Sequence, residues 1–575
     1  MRTLTFSFLA VLAISFGISF TSRAAEKTPT ADLFPKGALA YAEFHGLERV
    51  IADIEESDLV KLVEEHESYK AFMDSDAGKR FNAGKMIAEG VLGMDLWEAA
   101  GKYFGGSMAV GLYPQAGSEQ PSVLLVLRPT DPAILKKPKQ LLDSFFNKVD
   151  ERDGVKLYNP KDNKAVTVAA GDTWIALSNQ KSLTDNCIDL STGKSEDTLT
   201  KSKNFGKMFG ELGSGQLGQL FVDTEMISDF TGGRFGIPDK LDQPMVSLIA
   251  GGLLELFIQS PYAAMTLDYA EGEISLTAGI SGSPSQLDEA YQASFAKDGE
   301  GVPAPPKADS LIGSIAFHRD IPTWYNARDS LMTEASLPGF DKFESGIGAV
   351  LPGFDFGQDV LPMFGKNMQF VASTQSYDHL KGAKPGIQLP GFALIMDLDE
   401  PELGADLMQL TFQTIVAITN FDGAQKGRVP TLMEADIHNG VKLSTSRPLL
   451  KPEGDELGIE HNFQPSAAQV GNQFILSSSK ELCITLIDAL KDPSAAGSTS
   501  SDAQINMQVA PFIELVRANK DNLLAGEVEK GKSLEVAEAG LDAFLTVLEF
   551  VDSVHMDSAR GSGDSYRIKL TAKLK

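Results

Sequence analysis

Cysteine is nearly absent from this chain: Cys187 and Cys483 are the two in 575 residues. At most one disulfide can form, which excludes a cystine-stapled scaffold. Basic residues are in deficit, 51 against 78 acidic, for a formal net charge of −27. Such a surface repels phosphate backbones and anionic headgroups, so nucleic acid is not expected as a partner. The seven histidines are scattered. There is no H-E-x-x-H, no histidine pair at helical spacing and no D-x-[DN]-x-[DN]-G loop, so neither a metal site nor a cofactor is expected. Past the first 24 residues, no apolar run is long enough to span a bilayer. The nearest, MVSLIAGGLLELFI from Met245, is short, contains Glu255 and a glycine pair, and reads as a buried core helix. No transmembrane segment is expected in the mature chain.

What is present starts with a leader. Met1-Arg2 gives the positive start, Leu4 to Phe20 is almost unbroken apolar or small, and Ser22-Arg23-Ala24 offers the small residues of a cleavage site. Residues 1–24 therefore read as a signal peptide, and the protein as exported, periplasmic or extracellular. No cysteine follows the cleavage site to carry a lipid. With 43% hydrophobic and 22% charged residues the remainder is globular, and too long for one core.

The chain repeats itself. G-V-K-L stands at 154–157 and at 440–443, and the blocks around it recur in the same order. AYAEFH matches GSIAFH, FGGSMAVGL matches FGKNMQFVA, VLLVLRPTDP matches FALIMDLDEP, and TWIALSNQKSL matches QFILSSSKEL. Leu276-Thr277-Ala278 corresponds to Leu570-Thr571-Ala572. Each copy reads as an opening strand, amphipathic helices (DLVKLVEEHESYKAFM, 58–73, in the first), two strands, an acid-Pro helix start, short strands, a helix, and a final hairpin. The predicted fold class is α+β: two tandem homologous domains, 25–297 and 309–575, each a mainly antiparallel sheet packed with helices. A Pro/Gly linker over 298–308 separates them.

Duplication bears on every motif, because a signature found in one copy only is suspect. G-E-V-E-K-G-K-S at 526–533 fits the phosphate-loop pattern. A working loop needs a buried strand before it, and here RANKDNLLA reads as the end of a helix. Glu527 and Glu529 would also sit where the anion belongs, so the segment reads as a helix–helix loop and no nucleotide is expected. S-x-x-K recurs at Ser178–Lys181 and Ser477–Lys480, without the K-T-G and S-D-N elements of the penicillin-binding enzymes. Helix capping accounts for both, with Asn179 and Ser478 as N-caps and Ser478–Glu481 as a capping box. G-x-G-x-x-G at 213–218 leads into a strand instead of out of one, and reads as a turn. Ser107 approaches a nucleophile elbow but becomes Asn367 in the other copy. Asp397, Asp399, Glu400 and Glu402 read as a solvated strand-to-helix turn.

No catalytic residue emerges. The binding candidates are His45 and His318, which end the opening strand of each copy and would face a shared cleft. Cys187 and Cys483 sit three positions out of register on matched helices, and a disulfide joining the copies is one arrangement open to them. The Phe-His strand end, the TWIALSNQKSL step and QLFVDTEMI resemble a large family of exported bacterial proteins known only as a domain of unknown function. That resemblance implies an exported αβ protein and brings no catalytic residues. The expected function is a non-enzymatic binding or scaffold protein of the cell envelope. Its partner would be an apolar or extended ligand, lipid or peptide, held near Met108, Leu125 and Val166, or an envelope protein. An exported hydrolase using acids or His45 and His318, and a structural envelope component without ligand, are the alternatives.

Overall fold

The computed structural model describes residues 30–46, 70 and 73–575, apart from 116, 119, 162–164, 214, 232–236, 271, 352, 381–382, 428–429, 450–455, 493–498 and 562–564. The leader expected over 1–24 lies outside the described residues, as does most of the helix expected over 58–73. The chain is α+β with one 20-stranded antiparallel sheet. Ten strands come from the first half: β1 (Ala40–His45), β2 (Ser107–Tyr113), β3 (Ser122–Arg128), β4 (Phe146–Arg152), β5 (Val155–Pro160), β6 (Thr167–Ala170), β7 (Ile175–Ser178), β8 (Gly218–Asp223), β9 (Tyr262–Ala270) and β10 (Glu273–Ser281). Ten come from the second: β11 (Leu311–His318), β12 (Phe364–Ser373), β13 (Gly391–Leu398), β14 (Thr431–His438), β15 (Val441–Pro448), β16 (Ser466–Val470), β17 (Gln473–Ser477), β18 (Ala503–Gln508), β19 (Val551–Arg560) and β20 (Ser565–Leu574).

The first half pairs in the order β4-β5-β6-β7-β3-β2-β1-β8-β9-β10. The second pairs as β14-β15-β16-β17-β13-β12-β11-β18-β19-β20. The two orders are the same. The halves join where β10 pairs antiparallel with β20, from Glu273↔Lys573 to Ser281↔Ser565. Register agrees as well: Phe44 faces Met108 and His45 faces Ser107, while Phe317 faces Met368 and His318 faces Asn367.

Turn chemistry fixes the outer hairpins. Asp153 and Asn439 alone among the described non-glycine residues have positive φ, 50° and 48°, and each is followed by a left-handed glycine, Gly154 at 81° and Gly440 at 75°. Two consecutive left-handed residues make the tight turn that matches strand twist, and the D-G and N-G pairs supply it. These hairpins place β4 and β14 at the two edges of the sheet. Each edge carries the same protection: Asp150 Oδ1 accepts from the Glu151 N–H and Asp436 Oδ1 from the Ile437 N–H, both at 2.8 Å. A capped N–H cannot recruit another strand.

The helices lie on both faces. The relevant ones are α1 (Lys136–Phe145), α2 (Lys181–Ser191), α3 (Lys203–Leu212), α4 (Pro244–Gln259), α5 (Pro401–Gln425), α6 (Lys480–Lys491), α7 (Val509–Ala518), α8 (Lys520–Glu529) and α9 (Leu534–Glu549). On one face α2 and α3 bury Tyr41, Leu124, Val126 and Phe221, and α6 buries Val371, Ile395 and Ile475. Each such side chain contributes about 1.5–3 kcal/mol relative to exposure.

Three expectations need correction. Asn179 and Ser478 do not cap helices; Asn179 Oδ1 accepts from Val123 N–H and Ser478 Oγ from Phe392 N–H, tying the strand ends of β3 and β13. Glu481 reaches Ser376 N–H instead of closing a capping box. A loop residue beside an open strand end finds a nearer orphan donor there than on its own helix. Helix α4 exists as expected but buries one face only: Gly251, Gly252, Glu255 and Leu256 are buried, while Met245 is 62% exposed.

The seam between the halves has a second fastening. Arg319, buried, donates from Nε to Leu248 O, from Nη1 to Ser294 O and His318 O, and from Nη2 to Ile249 O. Its register mate in the first half is Gly46, so this clamp exists once. Burial lowers the Arg319 pKa, and no carboxylate bonds to it among the described hydrogen bonds. The Pro/Gly linker is packed too: Val302 is fully buried, its N–H donating to Ser501 O and its O accepting from Thr499 N–H.

Candidate functional site

In an antiparallel ladder, directly opposite residues share a face, so the register can be followed strand by strand. In the second half, Leu476, Leu394, Phe370, Ile315, Ile505, Met556 and Leu570 stand opposite one another in turn. The line crosses the seam and continues through Leu276, Leu267, Gly218, Phe44, Met108, Leu127 and Ile175. Every side chain in it is apolar, and only Gly218 is buried. Phe44, Ile315 and Phe370 are 44%, 47% and 49% exposed. Leu125 lies in the adjacent row on the same face. Val166 precedes β6 and is not part of a strand.

On the reverse face of the same central strands one row is polar. Gln504, Asp557, Lys569, Thr277, Thr266, Gln219 and Glu43 stand opposite one another there. Glu43 accepts from the Tyr41 hydroxyl and the Gln219 amide, both at 2.8 Å. Behind the apolar line, therefore, runs a polar row, flanked by Tyr41 and Phe221 of the core under α2 and α3.

Helices frame the apolar face without closing it. α5 lays Ala405, Met408, Phe412 and Val416 over Met396 and Phe474. α4 packs Leu256 onto Ile280 and Tyr566, and α7 and α9 pack Val509, Ile513 and Leu545 onto Tyr269 and Leu574. α1 covers Val168 with Leu142. Between them Ile315 and Phe370 stay half open.

The histidines are not brought together. β1 and β11 are seven strand steps apart in the sheet, about 33 Å at normal spacing. His45 Nε2–H donates to Gly215 O at 2.5 Å. His318, buried, donates from Nδ1 to Asn367 Oδ1 at 3.1 Å; Asn367 Nδ2 donates to Asp397 Oδ2 and Gln473 Nε2 to Asp397 Oδ1, each at 3.0 Å. Burial lowers the His318 pKa. This chain of side chains is satisfied internally and offers no open acid–base pair. Asp397 thus has both oxygens occupied, and the nearby Asp399 has its pKa raised by burial. Among the described residues no group of three or more His, Cys, Asp or Glu is arranged to hold a metal.

Cys187 and Cys483 are free thiols, each inside the core of its own half, so the disulfide considered from sequence does not form. Burial pushes both up to about 12, and neither is nucleophilic at neutral pH. Gly526 lies within α8, and Ser533 caps α9 by accepting from Val536 N–H. Glu527 pairs with both Lys530 and Lys532, at 2.8 and 2.5 Å, which pulls its carboxyl down to about 2. The lysine that would grip a phosphate is already held by an acid. Ser178 Oγ donates to Val123 O and Ser477 Oγ to Ser479 O, while Lys181 pairs with Asp185 and Lys480 with Asp436. Neither serine has its lysine as partner. A cleft of about 540 Å³ opens beside the linker, lined by Pro305, Pro306, Asp309, Asn506, Pro511 and Glu514 among others, with no histidine in it. Among the described residues, no helix is long and apolar enough to cross a membrane.

No protein-family model matches the chain, and no curated protein matches it. Among solved structures, crystal form IV of TP0453 is similar at 11% identity, covering 44% of this chain and 81% of that one, with a TM-score of 0.24. Crystal form III of the same protein aligns at 12% identity over 45% and 81%, with a TM-score of 0.23. Overlap this loose carries no argument about what the chain does.

Proposed function

We propose that this is an exported, non-catalytic binding protein of the cell envelope. Two copies of one ten-strand module form a single sheet, and its open apolar face holds an apolar ligand. The observation that supports this reading is the apolar line from Leu476 to Ile175, in which Phe44, Ile315 and Phe370 are exposed while Leu476, Leu394 and Ile175 are partly covered by the framing helices. A sheet face of this kind normally lies against a core, because leaving it in water forgoes roughly 25 cal/mol per Å². The satisfied histidines, the buried inert thiols and the occupied lysines favour binding over hydrolysis.

The test is binding of Nile red, an uncharged apolar dye, to the full mature chain. Wild type is expected to bind with a fluorescence increase. The double variant Ile315→Asp with Phe370→Asp should lose affinity at least tenfold while keeping its circular dichroism and unfolding midpoint. Equal dye binding by a folded double variant would remove the sheet face as the site.

A further inference from the structure

Resting on the binding reading above, we infer that the ligand of the apolar face is the long acyl chain of a neutral or zwitterionic lipid, and not an extended peptide. The two differ in what they bring. A peptide carries an N–H and a C=O at nearly every residue, and each buried without a partner is strongly unfavourable. The face supplies no partners. β11 is paired on one side with β12 and on the other with β18, β12 with β11 and β13, and β18 with β11 and β19. Their backbone groups are used in those ladders. The side chains that form the floor there, Phe370, Ile315, Ile505, Met368, Phe317 and Ala503, have no polar atom. A polymethylene chain asks for nothing else.

The other route by which sheets take peptides is strand addition at an edge. Here the Asp150 and Asp436 caps stand at the two edges, and Asn420 of α5 also occupies Thr431, accepting from its N–H and donating to its O. Charge narrows the headgroup. With 78 acidic against 51 basic residues, and lysines such as Lys181, Lys480 and Lys532 already paired, an anionic headgroup is repelled.

Displacement of Nile red from the wild-type full chain separates the possibilities. Monoacylglycerols of eight, ten and twelve carbons should displace it with affinity rising roughly threefold to fourfold per added methylene. Lysophosphatidylcholine of equal chain length should follow the same series, and the matching fatty-acid anion should be tenfold weaker or worse. A soluble peptide of alternating valine and threonine should not compete. Phe370→Asp should flatten the chain-length series, and Phe370→Leu should keep it. If dye binds but the peptide competes, or chain length has no effect, the acyl inference fails and the binding reading stands. If dye does not bind, the binding reading itself fails. If sedimentation shows a dimer that binds dye only on dilution, a second copy of the chain occupies the face and the inference is overturned.

Discussion

The two ends of the sheet hold the same place in the strand order and have little else in common. At the first, α1 is ten residues long and reads KKPKQLLDSF, and the hairpin beside it is charged, with Lys148 paired to Glu151 and Lys156 to Asp143. At the second, α5 runs for 25 residues, has no charge from Leu407 to Phe421, and leaves Phe421 70% exposed. Both helices lie on the apolar face. On the reverse face the halves match at α2 and α6, which both follow a strand end tied by a side chain, with Asp189 holding Arg152 as Asp488 holds His438, while among the described residues α3 adds Phe205 and Met208 to the first half alone. The ladder and the α2 and α6 packing are shared, and the apolar face is one place where the halves differ. That is the face on which a ligand would be selected.

Removing the single-copy clamp tests how far the halves depend on each other. Arg319→Met removes the donor from four carbonyls, those of Ser294 and His318 through buried bonds, and the loss should be about 3 kcal/mol by urea denaturation. An unchanged midpoint would mean that the β10–β20 ladder alone holds the seam. A smaller effect sharpens the likeness of the hairpins. Asn439→Val places a branched side chain at positive φ and should lose about 1–2 kcal/mol, with Asp153→Val losing a similar amount. Unequal losses would show that the two turns are not equivalent. The smallest effect concerns Asp502, whose Oδ1 accepts from the Ala296 N–H across the seam and whose pKa is raised by burial. A raised carboxyl stabilises the fold while protonated and loses that contribution as pH rises through its folded value. Asp502→Asn should therefore match wild type at low pH and exceed it at neutral pH. A variant that is less stable at pH 7 would mean that the charge itself is needed.

Much of the architecture was legible in the sequence, because local chemistry sets it. The acid-Pro starts at Pro132 and Pro401 and the Phe-His strand ends fall where the repeat placed them. The phosphate-loop pattern was rejected for its local surroundings, and those surroundings are helical. What could not be read depends on distant partners. Nothing in the sequence marks β10 as the mate of β20, or Arg319 as a ligand of carbonyls on α4. Asn179 and Ser478 look like caps until the neighbouring strand end is present. The apolar face was half legible: Met108 and Leu125 were named, Phe370 and Ile315 were not. Its sign was there in GFALIMDL, where apolar residues occupy both alternating sets of the strand.

The seam joins like to like, strand ten of one half to strand ten of the other, running in opposite directions. That is how two identical molecules meet about a two-fold axis. A half cut free at the linker would carry the bare strand on its flank, and the surface best shaped to cover it belongs to another molecule of the same kind. The long chain has built into itself the contact that a shorter ancestor would have had to find by collision.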